Sequence, residues 1–201
     1  IRSLKRPPQT DEFDAKYAGV LGQGIRLIAS GGYSIQRRTL DIVRAVGELG
    51  KGYVLFIAGT GSDDARREVE GAAQESGCEI VFLGMLPETE LAYVLDHMDV
   101  GVVSYHRNDT NNEHCASGKT YEYIAAGLPV VTTENPPLVR FCEETRTGVA
   151  DDDFLDGLKQ VTEQLESYKA RVREYLASPG IPDEESRVAH ELDDWLASND
   201  R

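Results

Sequence analysis

"CASGKTYEYIAAGLPVV", residues 115–131, decides how the chain is read. Ser117 is a natural N-cap residue, and a helix carrying Lys119 and Glu122 follows it. Ala125-Ala126-Gly127 stops that helix, and Pro129 leads into a strand that begins Val130-Val131. A helix that hands over to an apolar strand within three residues is the crossover unit of a parallel sheet.

The same alternation runs outward in both directions. Short apolar runs at 25–30 (IRLIAS), 53–59 (YVLFIAG), 79–84 (EIVFLG), 99–105 (DVGVVSY) and 127–133 (GLPVVTT) read as strands, with a last short one around Gly148-Val149-Ala150. Between them lie helical stripes: Leu40, Val43 and Val46; Ala65, Val69, Ala72 and Ala73; Leu91, Val94, Leu95 and Met98. Ser62 caps the second of these, Asp63 and Asp64 complement its dipole, and Gly77 ends it. Pro87 opens the third. Strands apolar on both faces, alternating with helices, predict an α/β fold: a Rossmann-like doubly wound parallel sheet of about six strands with helices on both faces. Ligands of such sheets sit beyond the carboxyl ends of the strands.

Residues 1–24, with Pro7-Pro8, read as a linker or lead-in from an upstream domain, and 25–150 as the ligand-binding domain. Residues 151–201 read as terminal helices packing on that domain. Leu155, Leu158, Val161 and Leu165 form one helical stripe, "SPGIP" at 178–182 breaks it, and a last helix carries Val188, Leu192, Trp195 and Leu196.

Composition narrows the chemistry. With 201 residues and 40% hydrophobic content the chain buries one core. It has 35 acidic against 21 basic residues, a net charge of −14 that repels nucleic acid, so no nucleic-acid partner is expected. No apolar run reaches membrane-spanning length, and no signal-peptide pattern opens the sequence. Cys78, Cys115 and Cys142 have no metal spacing and suit a reducing compartment. The expected location is cytoplasmic, or peripheral on the cytoplasmic membrane face for a full-length protein. An anionic ligand must be held by local groups working against the global charge.

Those groups stand at the strand ends. After the first strand, Gly31 and Gly32 permit close backbone approach just ahead of Arg37 and Arg38, a sensible anion site. After the second, Gly59-Thr60-Gly61 makes a tight turn but lacks the third glycine of a dinucleotide fingerprint, so a nicotinamide cofactor is disfavoured. After the fourth runs a long polar connection, "SYHRNDTNNEHCASGK", with no helix or strand pattern; its crowded hydrogen-bonding groups suit a sugar. It ends at Ser117, where the amides of Gly118, Lys119 and Thr120 face the strand ends. Lys119 opposes the helix dipole unless an anion offsets it, and Glu122 lies one turn deeper on the same side. A pyrophosphate at the amides and a ribose diol at the carboxylate fit that spacing, as an alternative to a surface ion pair. Asp151-Asp152-Asp153 contains a D-x-D string, read here as complementing a helix dipole rather than holding a metal. No metal site is expected, because His97, His106, His114 and His190 lack paired spacing. Cys115 beside His114 has no third group to make it a nucleophile.

In order, "LIASGGYSIQRRTLDIVRA", "VLFIAGTGS", "IVFLGMLPETELAYVLDHMDVGVVSY" and "GKTYEYIAAGLPVVTT" resemble the carboxyl-terminal domain of GT-B glycosyltransferases of the family 4, or group 1, kind. The resemblance covers residues 25–150. It implies the C-terminal half of a GT-B fold, which binds a nucleotide-diphosphate sugar such as a UDP-sugar, while a separate amino-terminal domain takes the acceptor glycan, lipid or small molecule. By position Glu122 resembles the motif glutamate that holds the ribose, and Arg37 or Arg38 the basic residue on the diphosphate. The family's paired glutamates stand seven residues apart. The matching position before Glu122 is His114, with Glu113 one residue off, so either one takes the sugar.

The resemblance implies retaining, metal-independent transfer of hexosyltransferase type, without a cofactor. Lys119, Arg38, Glu113 and His114 are the candidate catalytic residues. The donor-binding candidates are Gly31, Gly32, Arg37, Arg38, Gly59, Gly61, Ser117, Gly118, Lys119, Thr120 and Glu122. With the acceptor domain absent, this segment alone is expected to turn over little. Alternatives are a GT-B-fold nucleotide-sugar epimerase and a noncatalytic nucleotide-sugar-binding module.

Overall fold

The structure, a computed structural model, describes residues 10–22, 24–34 and 37–178. Pro7-Pro8 and the terminal helix with Val188 and Trp195 lie outside the described residues. Six strands form one sheet: β1 (Ile25–Ser30), β2 (Tyr53–Ala58), β3 (Glu79–Gly84), β4 (Val100–Val103), β5 (Val130–Thr132) and β6 (Gly148–Ala150). Every pairing is parallel, and the order is β3-β2-β1-β4-β5-β6. The chain winds outward from β1 to β3, then returns to pair β4 with β1 and winds the other way. The reversal leaves a crevice between the carboxyl ends of β1 and β4.

The nine helices among the described residues are α1 (Asp11–Tyr17), α2 (Thr39–Leu49), α3 (Asp63–Ser76), α4 (Glu88–Leu95), α5 (Thr110–Glu113), α6 (Gly118–Ala125), α7 (Pro136–Thr145), α8 (Phe154–Glu163) and α9 (Leu165–Ala177). Side-chain alternation along the strands makes two cores. Leu27, Leu55, Ile57, Val100, Val102 and Val131 pack with Val43, Val46, Val69 and Leu158 on one face. Ile28, Val54, Phe56, Val103 and Val130 pack with Val94, Leu95, Tyr123, Ile124 and Leu138 on the other. Both faces are covered, as the doubly apolar strands require.

Three local findings refine the sequence reading. α1 lies inside the segment read as lead-in and docks on α4, where Tyr17 donates to Glu90 Oε1 at 2.5 Å and Tyr93 to Asp14 Oδ1 at 2.6 Å. The polar connection after β4 contains one helical turn, α5, capped by Asp109 accepting from Asn112 N at 2.9 Å. The stripe from Leu155 to Leu165 is split at Gln164, whose φ of −119° ends α8, and Leu165 starts α9. Periodicity alone carries across such a break, because both segments bury the same kind of residue.

Candidate functional site

α6 is set by one buried side chain. Tyr123 is 0% exposed, packs over Gly101 of β4, accepts from Ser30 N at 2.7 Å and donates to Ser30 Oγ at 2.8 Å. Burial, the largest influence, pushes its phenol above the ordinary range and keeps it a neutral donor. Tyr123 fixes α6 on the sheet, and Lys119, one turn nearer the amino terminus, lines with Glu122 a cavity of about 340 Å³. Its other walls are Ser30, Gly31 and Gly32 after β1, Ala58, Gly59 and Thr60 after β2, and Met85, Leu86 and Leu91 after β3. This is the size and mixed character of a small-molecule site.

The glycines let the walls close. Gly31 has φ +103°, and a Cβ there would stand 2.6 Å from Lys119 Cε. A Cβ on Gly59 would overlap the Gly31 carbonyl oxygen at 1.7 Å, and one on Gly61 would meet the Tyr33 ring at 2.5 Å. Gly31, Gly32 and Gly59 therefore line the cavity, while Gly61 is needed for packing.

Beside this cavity lies a smaller pocket of about 30 Å³ between the ends of β1 and β4, lined by Arg37, Ser104, Tyr105 and Lys119 among others. Arg37 Cζ lies 5.1 Å and Lys119 Nζ 6.0 Å from the centroid of the Tyr105 ring. Among the described residues neither cation has a carboxylate partner, and Lys119 and Glu122 do not form the surface ion pair open from the sequence. Two cations without a carboxylate partner among the described residues thus contact one aromatic ring in a chain of net charge −14. The two arginines part company here. Arg38, at φ +52°, donates to Asp41 Oδ2 at 3.0 Å and to Asp152 Oδ1 at 3.2 Å, and it does not line either cavity.

The amino terminus of α6 also differs from the simple capping picture. Ser117 occupies the N-cap position, yet its side chain caps nothing; its buried hydroxyl is bonded to the Tyr105 hydroxyl at 3.1 Å. That bond holds the ring on which the two cations rest. Thr120, in the first turn, has a buried hydroxyl with no hydrogen-bond partner among the described residues. The Thr120 amide, in contrast to the sequence expectation, is spent on Ser117 O at 3.1 Å. Among the described residues the spare polar capacity at this end of the helix is therefore the Thr120 hydroxyl and the amides of Gly118 and Lys119.

Glu113 and His114 are not brought to either cavity. The turn that holds them is stitched to β5 instead: Asn135 Nδ2 donates to Asn112 O at 2.9 Å, and Thr133 donates to Asn135 Oδ1 at 2.7 Å. Gly118 is exposed at the start of α6. Sequence reading missed Tyr105, Met85 and Leu86, since an aromatic or apolar residue just past a strand reads as the strand's own continuation. The thiols of Cys78 and Cys142 are buried, which pushes them up to about 12 and about 11; Cys115 is half-buried. Among the described residues no three His, Cys, Asp or Glu side chains gather where they could hold a metal ion, and no helix is long and apolar enough to cross a membrane.

Comparison with known proteins places this architecture. No match to a protein of curated function was found. The catalytic domain of cholesterol-α-glucosyltransferase from Helicobacter pylori superposes with a TM-score of 0.62 at 20% identity, covering 76% of this chain and 95% of that one. The C-terminal domain of a glycosyl transferase group 1 family protein (LpcC) from Francisella tularensis gives 0.63 at 13% identity, covering 84% and 89%. Anabaena Alr3699/HepE, in complex with UDP, gives 0.68 at 11% identity, covering 96% of this chain and 54% of that one. At these identities the likeness is one of fold. A family model described as "Glycosyl transferases group 1" matches residues 25–167, the stretch that builds the whole sheet and both cavities. The chain therefore belongs to the group 1 glycosyl transferases, with the fold of the C-terminal half of a GT-B enzyme.

Proposed function

We propose that the crevice binds the nucleotide-diphosphate sugar donor of a metal-independent, retaining glycosyl transfer. The observation that carries this reading is a pair of cations, Arg37 and Lys119, that meet at Tyr105 beside the start of α6 and have no carboxylate partner among the described residues. A diphosphate supplies the missing negative charge. As the glycosidic bond to the donor breaks, charge grows on the leaving phosphate, and fixed cations and amides in a partly dry crevice stabilise it. This chain's own groups supply the positive charge for that step.

The rest of the cavity fits the remainder of a nucleotide. Glu122 stands where its carboxylate would accept two hydrogen bonds from a ribose diol, and Met85, Leu86 and Leu91 offer an apolar wall for a base. Anabaena HepE, which shares this fold, is described in complex with UDP, which supports a nucleotide as the ligand. The epimerase alternative needs acid and base groups around the sugar, and Glu113 and His114 stand away from the cavity. Retention and hexosyl transfer rest on the motif resemblance, and the acceptor belongs to a partner domain.

Calorimetry with uridine, guanosine and adenosine diphosphates tests the reading. The chain should bind at least one of them. Lys119→Ala should weaken that binding by about tenfold or more, the worth of one charge-assisted hydrogen bond, and Glu122→Ala should weaken nucleotide binding without affecting inorganic pyrophosphate. Absence of binding to all three diphosphates rejects the donor site.

A further inference from the structure

The acidic run between β6 and α8 divides its labour. Asp153 caps α8, accepting from Leu155 N at 2.9 Å, and Asp151 accepts from Asp153 N at 2.8 Å. Asp152 serves other segments. Its Oδ1 accepts from Arg38 Nη1 at 3.2 Å and from Glu134 N at 3.1 Å, and its Oδ2 is paired with Arg107 Nη2. Its carbonyl accepts from Arg38 Nη2 at 2.8 Å, and Arg107 Nη1 donates to Glu134 O at 2.8 Å.

The partners come from three different strand-end connections: Arg38 after β1, Arg107 after β4 and Glu134 after β5. One carboxylate thus fastens the loops on one side of the crevice to each other. A single half-exposed ion pair would contribute little, but here one acceptor fixes two guanidinium groups and a backbone amide together. The consequence reaches the crevice through neighbours. Arg38 is held at φ +52° with its guanidinium 5.1 Å over Phe154 and on two aspartates, and Arg37 adjoins it in the same turn. The Arg37 carbonyl accepts from the Ser104 hydroxyl, which joins the same turn to the end of β4.

We propose that Asp152 is a positioning residue for the diphosphate subsite, acting through Arg38 on Arg37 and through Arg107 on the connection that ends at Ser117. The proposal rests on the donor-site reading above. Charge gives it a discriminating sign. Replacing Asp152 by a neutral residue removes a negative charge near an anion site, so a field effect alone would tighten binding. Loss of positioning would weaken it.

The experiment is calorimetry of the wild-type chain, Asp152→Asn, Arg107→Ala and the double variant with whichever of the three nucleoside diphosphates the wild type binds, together with thermal melting. Asp152→Asn should bind about tenfold more weakly, Arg107→Ala should also weaken binding, and the double variant should be no weaker than Asp152→Asn alone. Asp153→Ala, which loses the α8 cap, should lower the melting temperature while leaving affinity unchanged, separating stability from positioning. If Asp152→Asn does not fold, Arg107→Ala with unchanged affinity overturns the proposal by itself. Equal or tighter binding by folded Asp152→Asn overturns it while the donor site stands. A wild type that binds none of the diphosphates rejects the donor site and this proposal with it.

Discussion

Tyr105 shows how one residue can organise the side chains around it. Its ring carries Arg37 and Lys119, its hydroxyl is tied to Ser117, and its amide donates to Thr133 Oγ1 at 3.1 Å. Residue type and position favour Ser117 as a helix cap; the hydroxyl instead turns to a buried phenol. At Gly59 the constraint is steric, since no side chain can coexist with the Gly31 carbonyl. Gly59→Ala should cost about 3 kcal/mol, the upper end of overpacking effects. Urea unfolding checks this: a loss under about 1 kcal/mol would mean that the turn after β1 yields freely.

At the scale of elements, α6 obeys a simple rule. One inward phenol, Tyr123, anchors the helix on the sheet. Lys119, one turn nearer the amino terminus on the same face, reaches past the strand ends into the crevice, Glu122 lines it beside Lys119, and both were legible from the quoted stretch. α1 obeys another, because its helix is short and its stability comes from docking on α4. Burial would raise the Glu90 carboxyl, but hydrogen bonds from Lys16 and Tyr17 outweigh it and leave the group below the ordinary carboxylate value. A depressed folded value means that this docking energy is fully present above the ordinary value of 4.5 and is lost as pH falls through the folded one. Protection of the amides of residues 11–17, measured by hydrogen exchange and corrected for the intrinsic rate at each pH, should therefore fall on acidification. Glu90→Gln should lower that protection already at neutral pH and flatten its pH dependence, with a loss of about 1–3 kcal/mol. Exchange in 11–17 that ignores both would refute the docking energetics.

For the whole molecule, the crevice and a buried ion cluster sit at opposite ends of the sheet. The crevice is at the carboxyl ends of β1 and β4. At their other ends buried Asp99 accepts from Arg26 N at 2.9 Å, Arg26 Nε at 3.1 Å and Lys169 Nζ at 2.8 Å. That carboxyl is held below its usual range, since the hydrogen bonds from Lys169 and Arg26 overcome its burial. The contact fastens α9 to the centre of the sheet, so Asp99→Ala leaves two half-buried cations without their anion. We expect a loss of about 3 kcal/mol in urea unfolding with nucleotide affinity retained. Loss of affinity at unchanged stability would contradict this separation.

The sequence by itself determined the six strands, their parallel alternation with helices, and the glycines, Lys119 and Glu122 at the strand ends. Those features are local: they follow from period, turn chemistry and caps, which neighbouring residues specify. Only the tertiary structure decided which of Arg37 and Arg38 faces the crevice, that Ser117 supports Tyr105, that Glu113 and His114 stand away from the cavity, and that Asp152 joins three loops. The physical reason is distance along the chain. Arg38 and Asp152 are 114 residues apart and Arg107 and Asp152 are 45 apart, and no local pattern records a partner that only the closing of the sheet brings within reach.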